Sequence, residues 1–162
     1  MKHRLDPLLR PNSVAVVGAS ARTDSLGEWA LRNLALGGYR GRTYPVNPGH
    51  QELQGQPCFA SLAELPETPD LVVFAVGDHR IETALDEAIA AGVPAAVIQS
   101  TLYLDDDSDP PLRERVRQKI QDSGMLVCGA NGMGFYNVRD HVWTCGFDST
   151  AHEAPGNISL IS

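Results

Sequence analysis

The sequence predicts an α/β fold, a doubly wound and mainly parallel sheet with helices on both faces. Six short apolar runs recur along the chain, and their first residues lie 24 to 33 positions apart, which is the length of a strand, a helix and two loops. The runs are apolar at almost every position, as strands buried on both faces are. Amphipathic segments alternate with them, and this alternation is typical of the Rossmann type of architecture with right-handed crossovers.

The predicted strands are the six apolar runs themselves. Each is three to six residues long, and the longest is far too short to cross a bilayer. The sixth run lies in a less regular part of the sequence than the other five. In chain order, the predicted strands are Val14–Val17, Tyr44–Val46, Leu71–Val76, Ala95–Ile98, Met125–Cys128 and Ile158–Ile161.

Helices are predicted where apolar residues recur at intervals of three and four. In the segment Ile81–Ile89 these residues share one face, and Gly92 follows as the C-terminal stop. The next helix has Asp109 as its predicted N-cap, Pro110 just inside it and Gly124 as its stop. The predicted helices are Leu5–Leu9, Leu26–Leu36 ending at Gly37–Gly38, Ile81–Ile89, and a helix through Leu112, Val116 and Ile120.

Composition indicates one globular domain over residues 1–162. The chain carries 13 Lys and Arg against 20 Asp and Glu, and this formal net charge of −7 argues against binding nucleic acid by phosphate neutralisation. Three cysteines without a CxxC pair fit reduced thiols in the cytoplasm better than a disulfide framework. Asp6 and Pro7 interrupt any apolar region of a signal peptide. We therefore expect a cytoplasmic protein that binds neither nucleic acid nor a membrane.

The loop after the first predicted strand has the features of an anion site. Ligands of open parallel sheets bind beyond the carboxyl ends of the strands. Here Gly18 permits a tight turn, and Ser20 offers a hydroxyl and an amide N–H. A helix approaches at Gly27, and its unpaired first amides favour a negative charge. Arg22 is a candidate phosphate contact in this loop, although the GxGxxG fingerprint of dinucleotide sites is absent.

The second loop argues against a dinucleotide dehydrogenase. Sites for NAD place an Asp or Glu at the end of the second strand, where the carboxylate holds the ribose hydroxyls. Asn47 occupies that position in this chain. An NAD-binding oxidoreductase domain is therefore the weakest alternative, and tight NADH binding with hydride transfer would revive it.

The remaining loops at the same sheet edge are small and polar. They contain Val76–Gly77 followed by Arg80, then Ser100–Thr101, and a glycine-rich run at 129–134. No nucleophile with a base and a third orienting group is recognisable, and the five histidines show no metal-ligand spacing. We therefore predict a binding site with no catalytic residue and no metal.

These loop motifs together resemble the CoA-binding domain of NDP-forming acyl-CoA synthetases, a family related to the α subunit of succinyl-CoA synthetase. The resemblance runs through nearly the whole chain. In combination, the motifs and their spacings are far more specific than any one glycine-rich loop. They are Leu9–Ser20, Asn33–Leu34, Gly38–Gly41, Tyr44–Pro48, Gly55, Asp70–Val76 and Pro155–Ile158.

The resemblance implies that coenzyme A or acyl-CoA binds across the loops that follow the first three strands of the sheet. Its site residues are grouped by the part of the ligand that each would contact. They are Gly18, Ala19 and Ser20 for the phosphates; Val46, Asn47 and Pro48 for the adenosine side; Val76, Gly77, Ser100 and Thr101 for the pantetheine arm; and Asn131 near the thiol.

The same resemblance implies a chain that performs no complete reaction alone. In the family an acid is joined to CoA at the expense of a nucleoside triphosphate, and the phosphohistidine that relays the phosphoryl group lies in a following domain. The 162 residues contain no counterpart of that histidine. We therefore expect either the N-terminal part of a longer synthetase-like protein or a stand-alone binder. The expected partners are CoA and further synthetase domains of the phosphohistidine and ATP-grasp types.

One loop departs from the family pattern and keeps a second hypothesis open. The family's Gly-Pro-Asn-Cys-x-Gly turn has Ala130 in place of its proline and Gly132 in place of its cysteine, while Asn131 is retained. Binding of the adenosine end does not require a reactive thiol end. The second hypothesis is therefore a regulatory module that senses a nucleotide or the CoA pool, and it would bind CoA and desulfo-CoA alike.

Overall fold

The computed structural model describes residues 3–150 and 155–157. No helix within these residues is long and apolar enough to span a membrane. The helices are α1 (Asp6–Leu9), α2 (Leu26–Leu36), α3 (Asp78–Ala90) and α4 (Leu112–Ser123). The strands are β1 (Ser13–Val17), β2 (Arg42–Val46), β3 (Glu52–Leu53), β4 (Gln56–Pro57), β5 (Leu71–Phe74), β6 (Ala95–Ile98), β7 (Leu126–Cys128), β8 (Tyr136–Asn137) and β9 (Val142–Trp143).

Five of the strands form one parallel sheet in the order β2-β1-β5-β6-β7. The chain starts at β1, moves outward to the edge strand β2, and then crosses back to β5 on the other side of β1. This reversal is the topological switch point at which open α/β sheets bind their ligands. The predicted Rossmann-type fold is therefore confirmed. The pairs β3–β4 and β8–β9 are short antiparallel hairpins outside the sheet.

The sheet is buried on both faces, as its uninterrupted apolar runs predicted. In β1, Ala15 packs with α3 and α4, whereas Val14 and Val16 pack with α2. Alternate residues of a strand point to opposite faces, so each strand supplies both layers of the core. All four residues of β5 and of β6 are buried. Helices therefore cover both faces, which is the doubly wound arrangement.

The observed ends of the strands differ slightly from the predicted ones. β2 begins two residues earlier than predicted, at Arg42, and β5 ends two residues earlier, at Phe74. The Ala75 N–H still donates to the Val17 carbonyl at 2.8 Å, but the chain then turns into α3. Periodicity could not separate the end of β5 from this turn because Ala75 and Val76 are apolar too. The predicted sixth strand, Ile158–Ile161, lies outside the described residues.

The predicted N-cap of α4 is wrong. The helix begins at Leu112 rather than next to Asp109, and Pro111 occupies the cap position without a side-chain bond. Instead, the Asp107 carboxylate accepts the Leu112 N–H at 2.7 Å, and Arg115 donates to the same carboxylate at 3.1 Å. Pro110 and Pro111 delay the helix, since a proline disfavours helical conformation in the residue before it. A carboxylate five residues upstream of Leu112 then reaches the first turn.

This capping contact predicts a pH-dependent contribution of Asp107 to stability. The Leu112 N–H lowers the pKa of the Asp107 carboxyl, and Arg115 lowers this pKa further. Because the folded-state pKa is depressed, the stabilisation is present above the unfolded value of about 3.9 and is lost as the pH falls through the folded value. We expect Asp107→Asn to lower Tm at pH 7. The Tm difference from wild type should shrink once the pH falls below the unfolded pKa of about 3.9.

Thermal unfolding followed by circular dichroism across this pH range measures the effect. Asp106→Asn is the control, because Asp106 is a neighbouring exposed carboxylate of the same loop. A Tm difference for Asp107→Asn that stays constant from pH 7 down to pH 3 would contradict the assignment, since about 3.9 is the pH at which its unfolded carboxyl titrates.

A short segment after β8 folds back along α2. We call residues 143–148 the return segment. Trp143 is 2 % exposed and packs on the C-terminal end of α2, where a Cβ added at Gly37 would lie 2.7 Å from the Trp143 ring. Further along, Asn33 donates to the carbonyls of Cys145 and Phe147, both at 2.8 Å. The segment therefore runs antiparallel to α2, from the end of that helix toward its start.

Candidate functional site

A cleft of about 580 Å³ opens at the carboxyl ends of β1, β2, β5 and β6, between the first turns of α2 and α3. This is the edge of the sheet at which the sequence placed the ligand. Eight of the twelve predicted site residues line the cleft. They are Gly18, Ser20, Arg22, Asn47, Val76, Gly77, Ser100 and Thr101.

The other four predicted residues lie beside the cleft rather than in its lining. Ala19 and Val46 are buried in the two layers of the core. Pro48 is exposed on the loop after β2. Asn131 is exposed as well, and its N–H donates to the Ser100 carbonyl at 2.8 Å, which brings the glycine-rich loop next to the cleft. These four residues are adjacent to the lining, either in sequence or through a hydrogen bond.

Five lining residues carried no predicted role in ligand binding. Each lies beside a predicted residue or in the same loop, so the signal available was position along the chain rather than residue type. Leu26, Ala75 and Asp78 are also apolar or acidic, which are not the types that a search for phosphate contacts selects. The five are Ser25, Leu26, Ala75, Asp78 and Gln99.

Two glycines bring the start of α2 against the loop after β1. Gly18 has a φ of +87°, and a Cβ there would lie 2.5 Å from the Ala75 carbonyl oxygen. Gly27 lies in the first turn of α2, where a Cβ would be 2.0 Å from the Gly18 carbonyl oxygen. No side chain fits at either position without moving backbone. The first amides of α2, which lack intrahelical acceptors, are thereby held at the rim of the cleft.

Serine hydroxyls shape the turn between β1 and α2. The Ser20 hydroxyl accepts the Arg22 N–H at 3.0 Å. The Ser25 hydroxyl donates to the Arg22 carbonyl at 2.7 Å and accepts the Glu28 N–H at 3.3 Å, so Ser25 is the N-cap of α2. Such a turn, followed directly by a helix N-terminus, presents the positive end of the helix dipole to a bound anion.

Asn47, which was predicted to contact the adenosine side of CoA, makes hydrogen bonds to two loops of the cleft. Its Nδ2 donates to the Ala19 carbonyl at 2.7 Å, and its Oδ1 accepts the Gly49 N–H at 2.8 Å. The residue therefore joins the loop after β1 to the loop after β2. A carboxylate at this position could not donate to Ala19, so the amide is required for this geometry and the ribose-binding acid of an NAD site has no equivalent here.

Asp78 joins the other two walls of the cleft. One carboxylate oxygen accepts the Thr101 hydroxyl at 2.8 Å, and the other accepts the Leu102 N–H at 2.6 Å. Asp78 also occupies the first turn of α3, where a helix N-terminus stabilises a negative charge. The loop after β6 is thus fixed to α3, which holds Ser100 and Thr101 at the side of the cleft.

Two arginines supply the positive charge of the cleft. Arg22 and Arg80 both line it and are both exposed. The ion pairs found among the described residues involve other arginines, such as Arg32, Arg42 and Arg115. Arg22 and Arg80 are therefore available for an anionic ligand in a chain whose net charge is −7.

The cysteine thiols are poor nucleophiles in this structure. Burial raises the pKa of the Cys145 thiol to about 11, and it raises the pKa of Cys58 and of Cys128 as well. The thiolate is the reactive form of cysteine, so a raised pKa lowers reactivity at neutral pH. Among the described residues, no group of three or more His, Cys, Asp or Glu side chains could hold a metal ion.

Fold and cleft together define the class of this protein: a Rossmann-type domain with an open cleft at the switch point of its sheet. The family model described as "CoA binding domain" matches residues 12–137, which include β1 to β8. The chain therefore belongs to the CoA-binding domain family, and coenzyme A is its ligand. This confirms the family and the cofactor that the loop motifs predicted.

Similar proteins agree with this assignment. A trans-feruloyl-CoA synthase from an unknown prokaryotic organism is 33 % identical over 141 residues, which are 86 % of this chain and 20 % of that protein. An ADP-forming acetate–CoA ligase II of Archaeoglobus fulgidus is 28 % identical over 98 % of this chain and 24 % of its own length. Among solved structures, the Ca. Korarchaeum cryptofilum dinucleotide-forming acetyl-coenzyme A synthetase 1, in complex with phosphate and ADP, superposes with a TM-score of 0.80 at 30 % identity.

The match is to one part of each of these larger proteins. The superposition includes 88 % of this chain but only 30 % of the synthetase chain. In sequence, this chain spans about a fifth to a quarter of the length of the two curated relatives. It is a CoA-binding domain homologous to part of the NDP-forming acyl-CoA synthetases. The sensor and the NAD-binding alternatives are not favoured by these comparisons.

Proposed function

We propose that the diphosphate of CoA binds where α2 begins, against the loop from Gly18 to Ser20 and between Arg22 and Arg80. The observation that carries this proposal is the packing of Gly27 on Gly18, which brings the first turn of a helix to the rim of a cleft that also holds both guanidinium groups. Local donors of this kind are necessary because CoA is a polyanion and the chain is acidic overall.

The remaining parts of CoA extend in two directions from this point. The adenosine side lies against the loop Val46–Pro48, which Asn47 fixes to the loop after β1. The pantetheine arm passes Val76 and Gly77 and follows the wall that Asp78 holds in place. Ser100 and Thr101 form that wall, and Asn131, bonded to the Ser100 carbonyl, lies near the thiol end. This assignment uses all twelve predicted residues.

We further propose that residues 1–162 act as the CoA-binding domain of an acid–CoA ligase of the NDP-forming type. The similarity to part of the acetate–CoA ligase and acetyl-CoA synthetase chains supports this proposal. The full reaction would then need a phosphohistidine domain and an ATP-grasp domain, supplied elsewhere in the protein or by a second subunit. The chain's own part is to bind CoA and orient its thiol. A cytoplasmic location remains the prediction made from the cysteine content.

Calorimetric titration of the folded chain with CoA tests the ligand site directly. We expect saturable binding of CoA, weaker binding of ADP, which lacks the pantetheine arm, and no binding of NADH at the same concentration. Desulfo-CoA separates contacts to the thiol from contacts to the rest of the molecule. A folded chain that shows no heat of binding with CoA at millimolar concentration would contradict the proposal.

A further inference from the structure

The return segment packs against two residues that line the cleft, although it lies beyond the part of the chain that matches the family. The match ends at residue 137, and the segment covers residues 143–148. It contributes no residue to the lining of the cleft among those described. Its Gly146, however, packs against the side chains of Leu26 and Gln99, both of which line the cleft.

Gly146 fits this position because it has no side chain. A Cβ added there would lie 2.8 Å from Nε2 of Gln99 and 3.0 Å from Cδ2 of Leu26. The backbone of Gly146 is not in the left-handed region, so alanine is free of conformational strain there. The three nearest atoms to such a Cβ all belong to the ends of these two side chains, both of which line the cleft.

Four hydrogen bonds hold the return segment in place and oppose its movement away from the cleft. Gln99 donates from Nε2 to the Thr144 carbonyl at 3.1 Å, and the buried Asn33 holds the carbonyls on either side of Gly146 at 2.8 Å each. The N–H of Gly146 itself donates to the Met133 carbonyl at 3.0 Å. The groups most able to give way are thus the ends of the Gln99 and Leu26 side chains, and a shift of Gln99 would strain its hydrogen bond to Thr144.

We propose that Gly146 is a positioning residue of the CoA site, which sets the place of Gln99 and Leu26 in the back wall of the cleft. This inference rests on the proposed function, since it concerns affinity for CoA. Gln99 is only 4 % exposed, so the side facing the cleft is the direction left open to a displaced carboxamide. A methyl group outside the cleft would then narrow the space available to the ligand.

Gly146→Ala tests the proposal by calorimetric titration with CoA. We expect the Kd to rise about fivefold, which is roughly 1 kcal/mol. Tm should change little in comparison, because flexible side-chain ends absorb the methyl group. Gly156→Ala is the matched control, since no atom of residues 3–150 or 155–157 lies within 4 Å of a Cβ at Gly156. Equal CoA affinity of folded Gly146→Ala and wild type would overturn the inference.

A double-mutant cycle distinguishes positioning from a general loss of stability. In a Gln99→Ala background the nearest conflicting group is absent, so we expect Gly146→Ala to change the Kd by less than about twofold. The same fivefold loss in both backgrounds would overturn the role assigned to Gln99. If Gly146→Ala does not fold, Asn33→Ser loosens the same segment from outside the cleft, and unchanged CoA affinity in that variant would overturn the inference too.

The outcome for wild type separates this inference from the proposal on which it rests. Wild-type protein that binds no CoA contradicts the proposed function itself. Wild-type protein that binds CoA with the same Kd as Gly146→Ala leaves the proposed function intact and removes the role of the return segment.

Discussion

Gly27→Ala is expected to abolish most CoA binding and to lower Tm by about 2–12 °C, because overpacking of a close contact costs about 1–3 kcal/mol and each kcal/mol shifts Tm by about 2–4 °C at this chain length. The added Cβ would lie 2.0 Å from the Gly18 carbonyl oxygen, which is backbone and cannot rotate away. Alanine improves helix propensity by up to about 1 kcal/mol, and the clash exceeds that gain.

Binding suffers for a separate reason. Relief of the clash moves the first turn of α2 away from the loop after β1, and with it the amides proposed to meet the phosphates. We expect the Kd for CoA to rise by at least about tenfold, measured by calorimetry at a temperature well below the Tm of the variant. Gly156→Ala again serves as the control for an added methyl group. Unchanged affinity in a folded Gly27→Ala variant would contradict the placement of the phosphates.

The second large effect is expected from the double variant Arg22→Ala/Arg80→Ala. Hydrogen bonds to charged groups contribute about 1.5–3 kcal/mol each, and exposure to solvent brings two such contacts toward the lower limit. We therefore expect the Kd for CoA to rise about 30-fold or more, since each 1.4 kcal/mol or so is a factor of ten. Tm should stay close to that of wild type, because neither arginine forms an ion pair with the described residues.

Salt dependence gives this prediction a second readout. Wild-type affinity should fall as ionic strength rises from 0.05 to 0.5 M or so, because the Debye length shortens to below about 10 Å, and the double variant should lose most of that dependence. Arg113→Ala/Arg117→Ala removes the same charge from the exposed part of α4, outside the cleft, and should leave the Kd within about twofold. An equal loss in both double variants would point to net charge instead of a site.

Most of the fold could be predicted because its signals are local. The apolar run that contains β5 lacks the alternation of a half-buried strand, and every residue of β5 is buried. The face shared by Ile81, Ala84, Leu85 and Ala88 is likewise the buried face of α3. Such patterns depend on neighbours within one helical turn or one strand, so a single sequence contains them in full.

The part of the cleft that could be predicted consists of residue types known to contact anions, such as glycine and serine in a loop before a helix. Gly18 and Ser20 suggested an anion site by their residue types, and the strand-end rule placed both at one edge of the sheet. Leu26 and Gln99 line the same cleft but carry no such signal. Their role depends on which side of a helix or loop faces the ligand, and that is decided by packing rather than by residue type.

Contacts between distant parts of the chain could not be predicted. Asn33 and Cys145 are 112 positions apart, and nothing in either local sequence indicates that the two meet. The cap of α4 was missed for a related reason. Asp109 satisfies the usual spacing rule, but two prolines shift the start of the helix, and Asp107 reaches it from further upstream.

The return segment also sets how far this chain can be shortened without loss of its packing. The family match ends at Asn137, but a polypeptide cut there would lose the carbonyl acceptors at residues 144, 145 and 147. Asn33 and Gln99 would lose these hydrogen bonds, each of which contributes about 0.5–1.5 kcal/mol to stability. The residues that pack together therefore extend beyond the family match, and we expect truncation for expression to be tolerated better after residue 148 than after residue 137.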